Sequence, residues 1–469
     1  MASRMRHLDI GVLRDIARTE LFEWGKPGVE GYALSLEALP VVWPAEKRAA
    51  TWARASEPSP AVPEVELLRE HVRGQSAALG ATFHEAGPWQ PTPISGAWVQ
   101  LGPGGQVRVS SGWQGTPARA AAEACSLFDR LRARLSEAGV GLVTVGRDPW
   151  HPPQARPSAD GSPRAECAEE SFSARPRGLE ALRSTAGAEV RIAFGGPVKG
   201  PRRWRAAWLL APRLAALFAN SPLENGVSAR CKSARVRAWL EGDPSRCGIP
   251  HAVQDTPQLA PDEQYVQFAL AARVLWVALE GEQHVHPQPM LTFAQWMATG
   301  VDGWFPDRED WRAHLATLRP LVRAERGLVL SVFDAQERAF AALPLLVASA
   351  LLADDAALEA VLARYSEAWP RAGALLSAAV NEGLLDSELA RGSRELLALV
   401  ADVLLRAPRG WASAEQVGAL VAFERELTRA KRTPADALLE VYLERGELGR
   451  SQLAQLEQHW CALAGTPVS

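Results

Sequence analysis

The sequence contains no apolar run of eighteen residues, so it offers no helix able to cross a bilayer. Its opening, Met1-Ala-Ser-Arg-Met-Arg-His-Leu-Asp-Ile10, has no apolar core of the kind a secretory signal needs. Cysteine is sparse: five residues (Cys125, Cys167, Cys231, Cys247 and Cys461), scattered and never spaced C-x-x-C. That excludes a disulfide framework, makes a structural zinc site unexpected, and points to a reduced, cytoplasmic protein. Neither a Walker loop nor a G-x-G-x-x-G turn occurs between a strand and a helix, and no Ser-His-Asp arrangement can be assembled from its motifs. A net charge of −3 with the two signs interspersed gives no footprint for nucleic acid and none for a membrane surface. Lysine is scarce beside arginine, alanine, leucine and proline, a bias of GC-rich bacterial sequences that says nothing about function.

What is present is ordinary for a globular protein: 47% hydrophobic and 22% charged residues over 469 positions, enough for one large domain or several smaller ones. Tryptophan stands out, 17 against 4 tyrosines. Trp204, Trp208, Trp276, Trp296 and Trp311 fall in apolar helical patterns, which suits core side chains; an exposed subset lining a peptide groove is the other reading.

Hydrophobic periodicity predicts an opening helix over 8–24, a strand over 32–39 stopped by Pro40, and a helix near 63–80. Two strands, 97–101 and 106–110, flank the turn Gly102-Pro-Gly-Gly105. A long helix over 116–138 and strands at 140–145 and 189–194 follow, with a loop over 150–166. From about 201 the pattern is mostly helical. Loops are expected near 222–233, 242–262 and 281–291, and a helical bundle in the last hundred residues. Strands first and helices later predict an α+β protein, divided into 1–365 and a helical C-terminal extension over 366–469 that packs on it.

Several segments carry a resemblance. Leu214-Ala-Ala-Leu-Phe-Ala-Asn-Ser-Pro222 is followed by Ser233-x-Arg235-x-x-x-Trp239 and Asp243-Pro244-x-Arg246. Trp311-x-x-His-Leu-x-Thr-Leu318 precedes Pro320-x-Val-Arg323. In order and spacing these resemble the glutamate–cysteine ligase family, in its plant and bacterial ergothioneine-pathway branch, over roughly 30–365. Earlier matches are looser. Ala33–Val41 is similar to the family's opening Gly-x-Glu-x-Glu strand, Gly102–Ser110 to its Glu-Pro-Gly-Gly-Gln-x-Glu-x-Ser, and Arg183–Ala193 to its Arg-x-Thr-Ala-Ser-x-Gln-Val-x-x-Asp. Pro163-Arg164 resembles its Pro-Arg-Tyr turn, with Ala165 in place of Tyr.

The resemblance implies a glutamine-synthetase-like α+β fold, a curved and mainly antiparallel sheet cupped by helices. It also implies phosphorylation of the glutamate γ-carboxylate by Mg-ATP, which needs convergent carboxylates around a hard cation. Here Ser35, Gly102, Arg108, Ala193 and Val329 stand at the matched acidic positions. Strand alternation puts Ser35 and Glu37, then Gln106, Arg108 and Ser110, then Glu189, Arg191 and Ala193 on one face, with apolar residues opposite.

Glu37, Glu189, Arg108 and Arg191 sum to zero charge without a metal, and Arg108 is placed to bridge the two glutamates. The other reading makes Arg108 and Arg191 solvated strand-edge residues. A shifted alignment would make Glu30 the family's first glutamate. Together with Arg164, Arg183 and Asn220, the residues Ser35, Glu37, Gln106, Arg108, Glu189 and Arg191 are the expected ligand pocket. Asn220 is alternatively a helix-end hydrogen-bonding residue. Ser233, Arg235 and Arg246 are the expected remnant of an anion or nucleotide site, or else structural ion pairs. No metal ligand set is expected; His284-x-His286 and His251 show no third partner.

The expectation is therefore a catalytically degenerate ligase relative with no cofactor. It would bind a peptide or amino-acid-like ligand, or a partner enzyme, in a bacterial biosynthetic pathway, with peptide or thiol natural products a suitable setting. The alternatives are an active ATP-dependent ligase making γ-glutamylcysteine or a related compound with Mg-ATP, and an enzyme using the cavity for metal-free chemistry.

Overall fold

A computed structural model describes residues 8–44, 59–85, 95–250, 258–279 and 283–466. His251 lies outside these residues. The helices up to the middle of the chain are α1 (Ile10–Ile16), α2 (Val65–Ala78), α3 (Pro117–Glu137), α4 (Pro163–Ser173), α5 (Gly178–Arg183), α6 (Lys199–Leu217) and α7 (Ala234–Gly242). The strands are β1 (Tyr32–Val42), β2 (Thr82–His84), β3 (Trp98–Leu101), β4 (Val107–Ser110), β5 (Val140–Val143) and β6 (Gly187–Ile192). Two short hairpins come next, β7 (Leu223–Glu224) with β8 (Val227–Ser228), and β9 (Val277–Ala278) with β10 (His284–Val285). Strands β11 (Val322–Ala324) and β12 (Leu328–Asp334) complete the set.

Eight strands form one sheet in the order β11-β12-β6-β1-β4-β3-β2, with β5 also paired to β1. Every pairing is antiparallel except β2 with β3. The register aligns Leu34 with Val190 and Leu330, and Leu36 with Val109, giving a continuous apolar face. Helix α3 packs against β1, α6 against β12, and the helix Leu343–Ala353 against β6. All belong to one hydrophobic core that runs from Leu13 to Ala464 and includes Leu396, Leu427 and Trp460 of the last hundred residues. Trp204, Trp208, Trp296 and Trp311 are buried within it, as their helical spacing predicts.

Three expectations need correcting. Pro40 does not stop β1: it sits opposite Leu142, where β5 continues the pairing through Val42. Proline removes an N–H, but not the carbonyl, which here accepts from Arg156. The loop expected over 150–166 gives way to helix α4 at Pro163, because Ser162 caps the helix by accepting from the Ala165 N–H and Pro163 fills the first helical position. Strands β11 and β12 interrupt the half predicted as helical. Arg326 takes a left-handed φ of 53° at their turn, and Leu328–Phe333 is a nearly continuous apolar run paired on both sides.

The segment after β5 is pinned by a buried carboxylate. Asp148 accepts from the Trp150 and His151 N–H groups at 2.9 and 3.0 Å and from Arg156 Nε at 2.7 Å. His151 faces this carboxylate through Nδ1 at 3.0 Å, while its Nε2 lies 2.7 Å from the Pro60 carbonyl. Two acceptors require both ring nitrogens to donate, which only the imidazolium does. The Asp148 bond accordingly raises the His151 pKa against the opposing effect of burial. The stabilisation is fully present below the ordinary histidine value of about 6.5 and is lost as pH rises through the raised native value. Urea unfolding from mildly acidic to mildly alkaline pH should show this loss, and His151→Gln should flatten it.

Candidate ligand-binding site

The face of the sheet opposite the core carries three polar rungs. Across one, Arg323 of β11, Val329 of β12, Arg191 of β6 and Ala33 of β1 are aligned. The next places Glu189 opposite Ser35, and Ser35 opposite Ser110. The third pairs Glu37 with Arg108, and Arg108 with Gln100. Helices α5 and α7 and the turn after β3 wall off a cavity of about 110 Å³ above these rungs.

Glu189 is the centre of the cluster. Arg108 Nη2 lies 2.5 Å from its Oε1, Arg191 Nη2 2.9 Å from the same oxygen, and Arg323 Nη2 bonds to Oε2. Burial alone would raise the Glu189 pKa, but Arg108, Arg323 and Arg191 hold it well below the usual carboxylate range. Glu325, 2.7 Å from both Arg191 and Arg323, is likewise raised by burial but held down to about 2 by those arginines. Arg319 is pushed down to about 10 by burial and then by Arg323, so it remains charged at neutral pH. Glu37 is less committed: its Oε2 accepts from the Gly187 N–H at 2.9 Å, and its Oε1 lies 3.8 Å from Arg108 Nε. Arg108 thus stands between the two glutamates and also covers the Trp98 ring at 5.2 Å. With side-chain exposures of 16% and 3%, Arg108 and Arg191 are not solvated strand-edge residues.

Of the residues expected to form the pocket, Glu37, Gln106, Arg108 and Glu189 line the cavity, and Arg235 of the expected anion or nucleotide remnant joins them. Gln106 is spent on the fold: its Oε1 accepts from the Gly104 N–H, and its Nε2 donates to the carbonyls of Leu182 and Thr185. This joins the Gly102-Pro-Gly-Gly turn to α5, and a Cβ on Gly104 would sit 2.1 Å from the Arg183 carbonyl oxygen. Ser35, fully buried, donates to Ser110 Oγ at 2.9 Å below the cavity floor, and Arg191 lies just behind the lining.

The remaining candidates lie elsewhere. Arg164 is on α4, 2.9 Å from His284 Nε2 and over the Trp276 ring. Arg183 pairs with Glu169 and donates to the Arg156 carbonyl. Asn220 donates its N–H to Asp334 and its amide to the carbonyls of Thr144 and Ala335, as a helix-end cross-link would. Ser233 caps α7 and donates to Asp334 at 2.8 Å. Arg246, fully buried, bonds to the Arg273 carbonyl and Thr317. Glu30, the alternative first glutamate, accepts through both carboxylate oxygens from Arg203 Nη2 at 2.7 Å and does not line the cavity.

Arg319, Arg323, Ser331 and Trp239 also line the cavity, and Glu325 stands behind it. Pro320-x-Val-Arg323 belongs to the pattern that resembles the family, but the three residues of β11 give no alternation from which to assign its side chains a face. The expected neutrality does not hold: the lining carries four guanidiniums, of Arg108, Arg235, Arg319 and Arg323, against the carboxylates of Glu37 and Glu189. Among the described residues, no group of three or more His, Cys, Asp or Glu side chains is placed to hold a metal ion.

The family described as glutamate–cysteine ligase family 2 (GCS2) matches residues 63–454. The chain belongs to this family. It is 30% identical over 367 residues to the chloroplastic glutamate–cysteine ligase of Arabidopsis thaliana, covering 75% of this chain and 67% of that one. It is 29% identical over 366 residues to the glutamate–cysteine ligase EgtA of Mycolicibacterium smegmatis, covering 76% and 80%. The crystal structure of the Francisella tularensis glutamate–cysteine ligase in complex with AMP superposes with a TM-score of 0.50 at 12% identity, over 94% of both chains. That likeness places the sheet and its helices in the glutamate–cysteine ligase fold. As an ATP-dependent ligase family member, the chain retains the fold while its sheet face holds an arginine–glutamate cluster.

Replacing Glu189 by Gln removes one charge and leaves three buried arginines, Arg108, Arg191 and Arg323, with only Glu325 and the more distant Glu37 as counter-charges. A destabilisation of about 3–5 kcal/mol is expected in urea unfolding. Arg164→Ala, on the surface and outside the cluster, should change stability by no more than about 0.5 kcal/mol.

Proposed function

We propose that the protein is a catalytically degenerate member of the glutamate–cysteine ligase family. It uses the cavity to bind a peptide or amino-acid-like ligand, or to engage a partner enzyme, in a bacterial biosynthetic pathway. One observation carries this reading: the most buried carboxylate of the cavity lining, Glu189, is already neutralised by three arginines. Magnesium takes oxygen ligands at close range. A dication about 4 Å from the Arg108 guanidinium would be repelled by several kcal/mol even at an effective dielectric of about 20. The donor set therefore does not fit Mg-ATP held as ligase chemistry requires.

The serine, alanine and valine at the other matched positions support the same reading, since Ser35, Ala193 and Val329 supply no carboxylate in their place. The five cysteines form no disulfide, in keeping with a cytoplasmic setting. No helix among the described residues is long and apolar enough to cross a membrane.

The second reading is an active ligase that makes γ-glutamylcysteine or a related γ-glutamyl compound. It is favoured by relatives near 30% identity whose names carry that activity. Calorimetry with Mg-ATP and an assay of ADP release in the presence of glutamate and cysteine separate the two. Neither binding at micromolar concentration nor ADP release is expected; either result would overturn the degenerate reading.

Placing a carboxylate where Arg108 stands tests the same point in the other direction. In Arg108→Glu the new side chain would face Glu37 across the strands and approach Glu189. Magnesium should then raise the melting temperature of the variant but not of the parent.

A further inference from the structure

Away from the sheet cavity the described residues form a groove of about 550 Å³, which shares no lining residue with that cavity. Its volume falls within the ~300–1,000 Å³ of sites that bury a small organic ligand. Three elements shape it: the first turns of α6, the start of the helix Pro261–Ala271, and the helix Asp355–Tyr365 with the turn Ser366–Arg371 after it. Pro201, Leu259, Pro261 and Leu362 give it an apolar surface.

The polar groups of the groove are unevenly served. Trp204 spends its indole N–H on Gln264 Oε1 at 3.2 Å, and Arg202 pairs with Glu359. Trp369 is only 5% exposed, yet its Nε1 has no acceptor among the described residues. Burial obliges such a donor to find an acceptor. Arg205, exposed on α6, lies over the Trp369 ring at 6.0 Å and pairs with no carboxylate among the described residues. The helix Pro261–Ala271 starts without a side-chain cap, and Pro261 has no N–H to give. The acidic side chains of that first turn, Asp262 and Glu263, pair with Arg14 of α1. The groove thus joins an apolar surface to donors for carbonyl oxygens and to one guanidinium without a counter-charge. An extended peptide offers the complement of each: apolar side chains, backbone carbonyls and, where it is acidic, a carboxylate.

We propose that the groove docks a short, extended, acidic segment of a partner protein, with its carboxylate on Arg205 and a backbone carbonyl on the Trp369 N–H. The groove would serve an active ligase and a degenerate relative alike, so the Mg-ATP assays do not bear on it.

Titration of the full chain, isotope-labelled in its tryptophan indoles, with acetylated and amidated pentapeptides tests the proposal by magnetic resonance. Each peptide has Leu, Phe or Pro at the outer positions and either Glu or Lys at the centre. The Glu set should move downfield the indole resonance that Trp369→Phe removes, as that N–H gains an acceptor, and the Lys set should not. Arg205→Ala should weaken the Glu peptides about tenfold. Arg205→Glu should reverse the preference and admit the Lys peptides, a gain that misfolding cannot produce. If neither set binds at millimolar concentration, if both bind alike, or if the bound peptide leaves the Trp369 resonance in place, the proposal falls. Sedimentation velocity over a range of protein concentrations supplies the remaining check. Self-association that Arg205→Glu abolishes would give the groove to a second copy of the chain and overturn the proposal.

Discussion

A carboxylate buried on a sheet face cannot stay ionised unless something nearby repays its lost hydration, and Glu189 places that demand on the whole site. Its three arginines come from different strands. Arg108 reaches it from β4 across β1, Arg323 reaches it from β11 across β12, and Arg191 stands two residues along β6 itself. Those reaches depend on what the intervening strands present. Ser35 and Ala33 on β1, and Val329 and Ser331 on β12, are short side chains on the cavity face. Acidic residues at Ser35 or Val329 would bring further negative charge into the gap the guanidiniums span. The small residues and the arginines are therefore one interdependent arrangement.

Much of this was legible from the residues themselves. The alternation in Leu34-Ser-Leu-Glu37, Val107-Arg-Val109 and Glu189-Val-Arg-Ile192 fixes which side chains share a face, because a two-residue period has one solution once the apolar half is buried. It brought Glu37, Arg108, Glu189 and Arg191 together without knowledge of strand order. What it could not supply was the other edge of the sheet. Strand β12 is apolar on both faces, and β11 is three residues long, so neither alternates. Arg319, Arg323 and Glu325 consequently had no face to be assigned to, and a site that looked neutral is positive.

The residues that were expected in the site and are absent from it share a different cause. Asn220, Ser233 and Arg246 belong to the best-preserved matches, and preservation of a pattern does not distinguish chemistry from support. Asn220 and Ser233 converge on Asp334, which also accepts from Ser221 Oγ at 2.6 Å. That buried carboxylate ties the end of α6 and the start of α7 to the end of β12. Arg235, from the same motif, reaches past this joint: its Nη atoms donate to the Ser331 carbonyl, and its guanidinium lies against Gly187, where any Cβ would come within 2.6 Å. One short motif thus holds the wall of the cavity and supplies one of its charges.

These two parts of the molecule have different duties. The Asp334 joint, the Gln106 cross-link from the turn to α5 and the continuous apolar face keep the sheet, α5 and α7 in a fixed relation, so a cavity persists whatever its lining carries. The polar rungs are freer to change, because each faces the cavity rather than the core. A guanidinium in place of a carboxylate there reverses the sign of a charge in surroundings where water screens poorly, and it does so without moving a strand. In the degenerate reading proposed above, Arg108 and its neighbours disfavour magnesium, so the guanidiniums of the lining would meet a ligand directly.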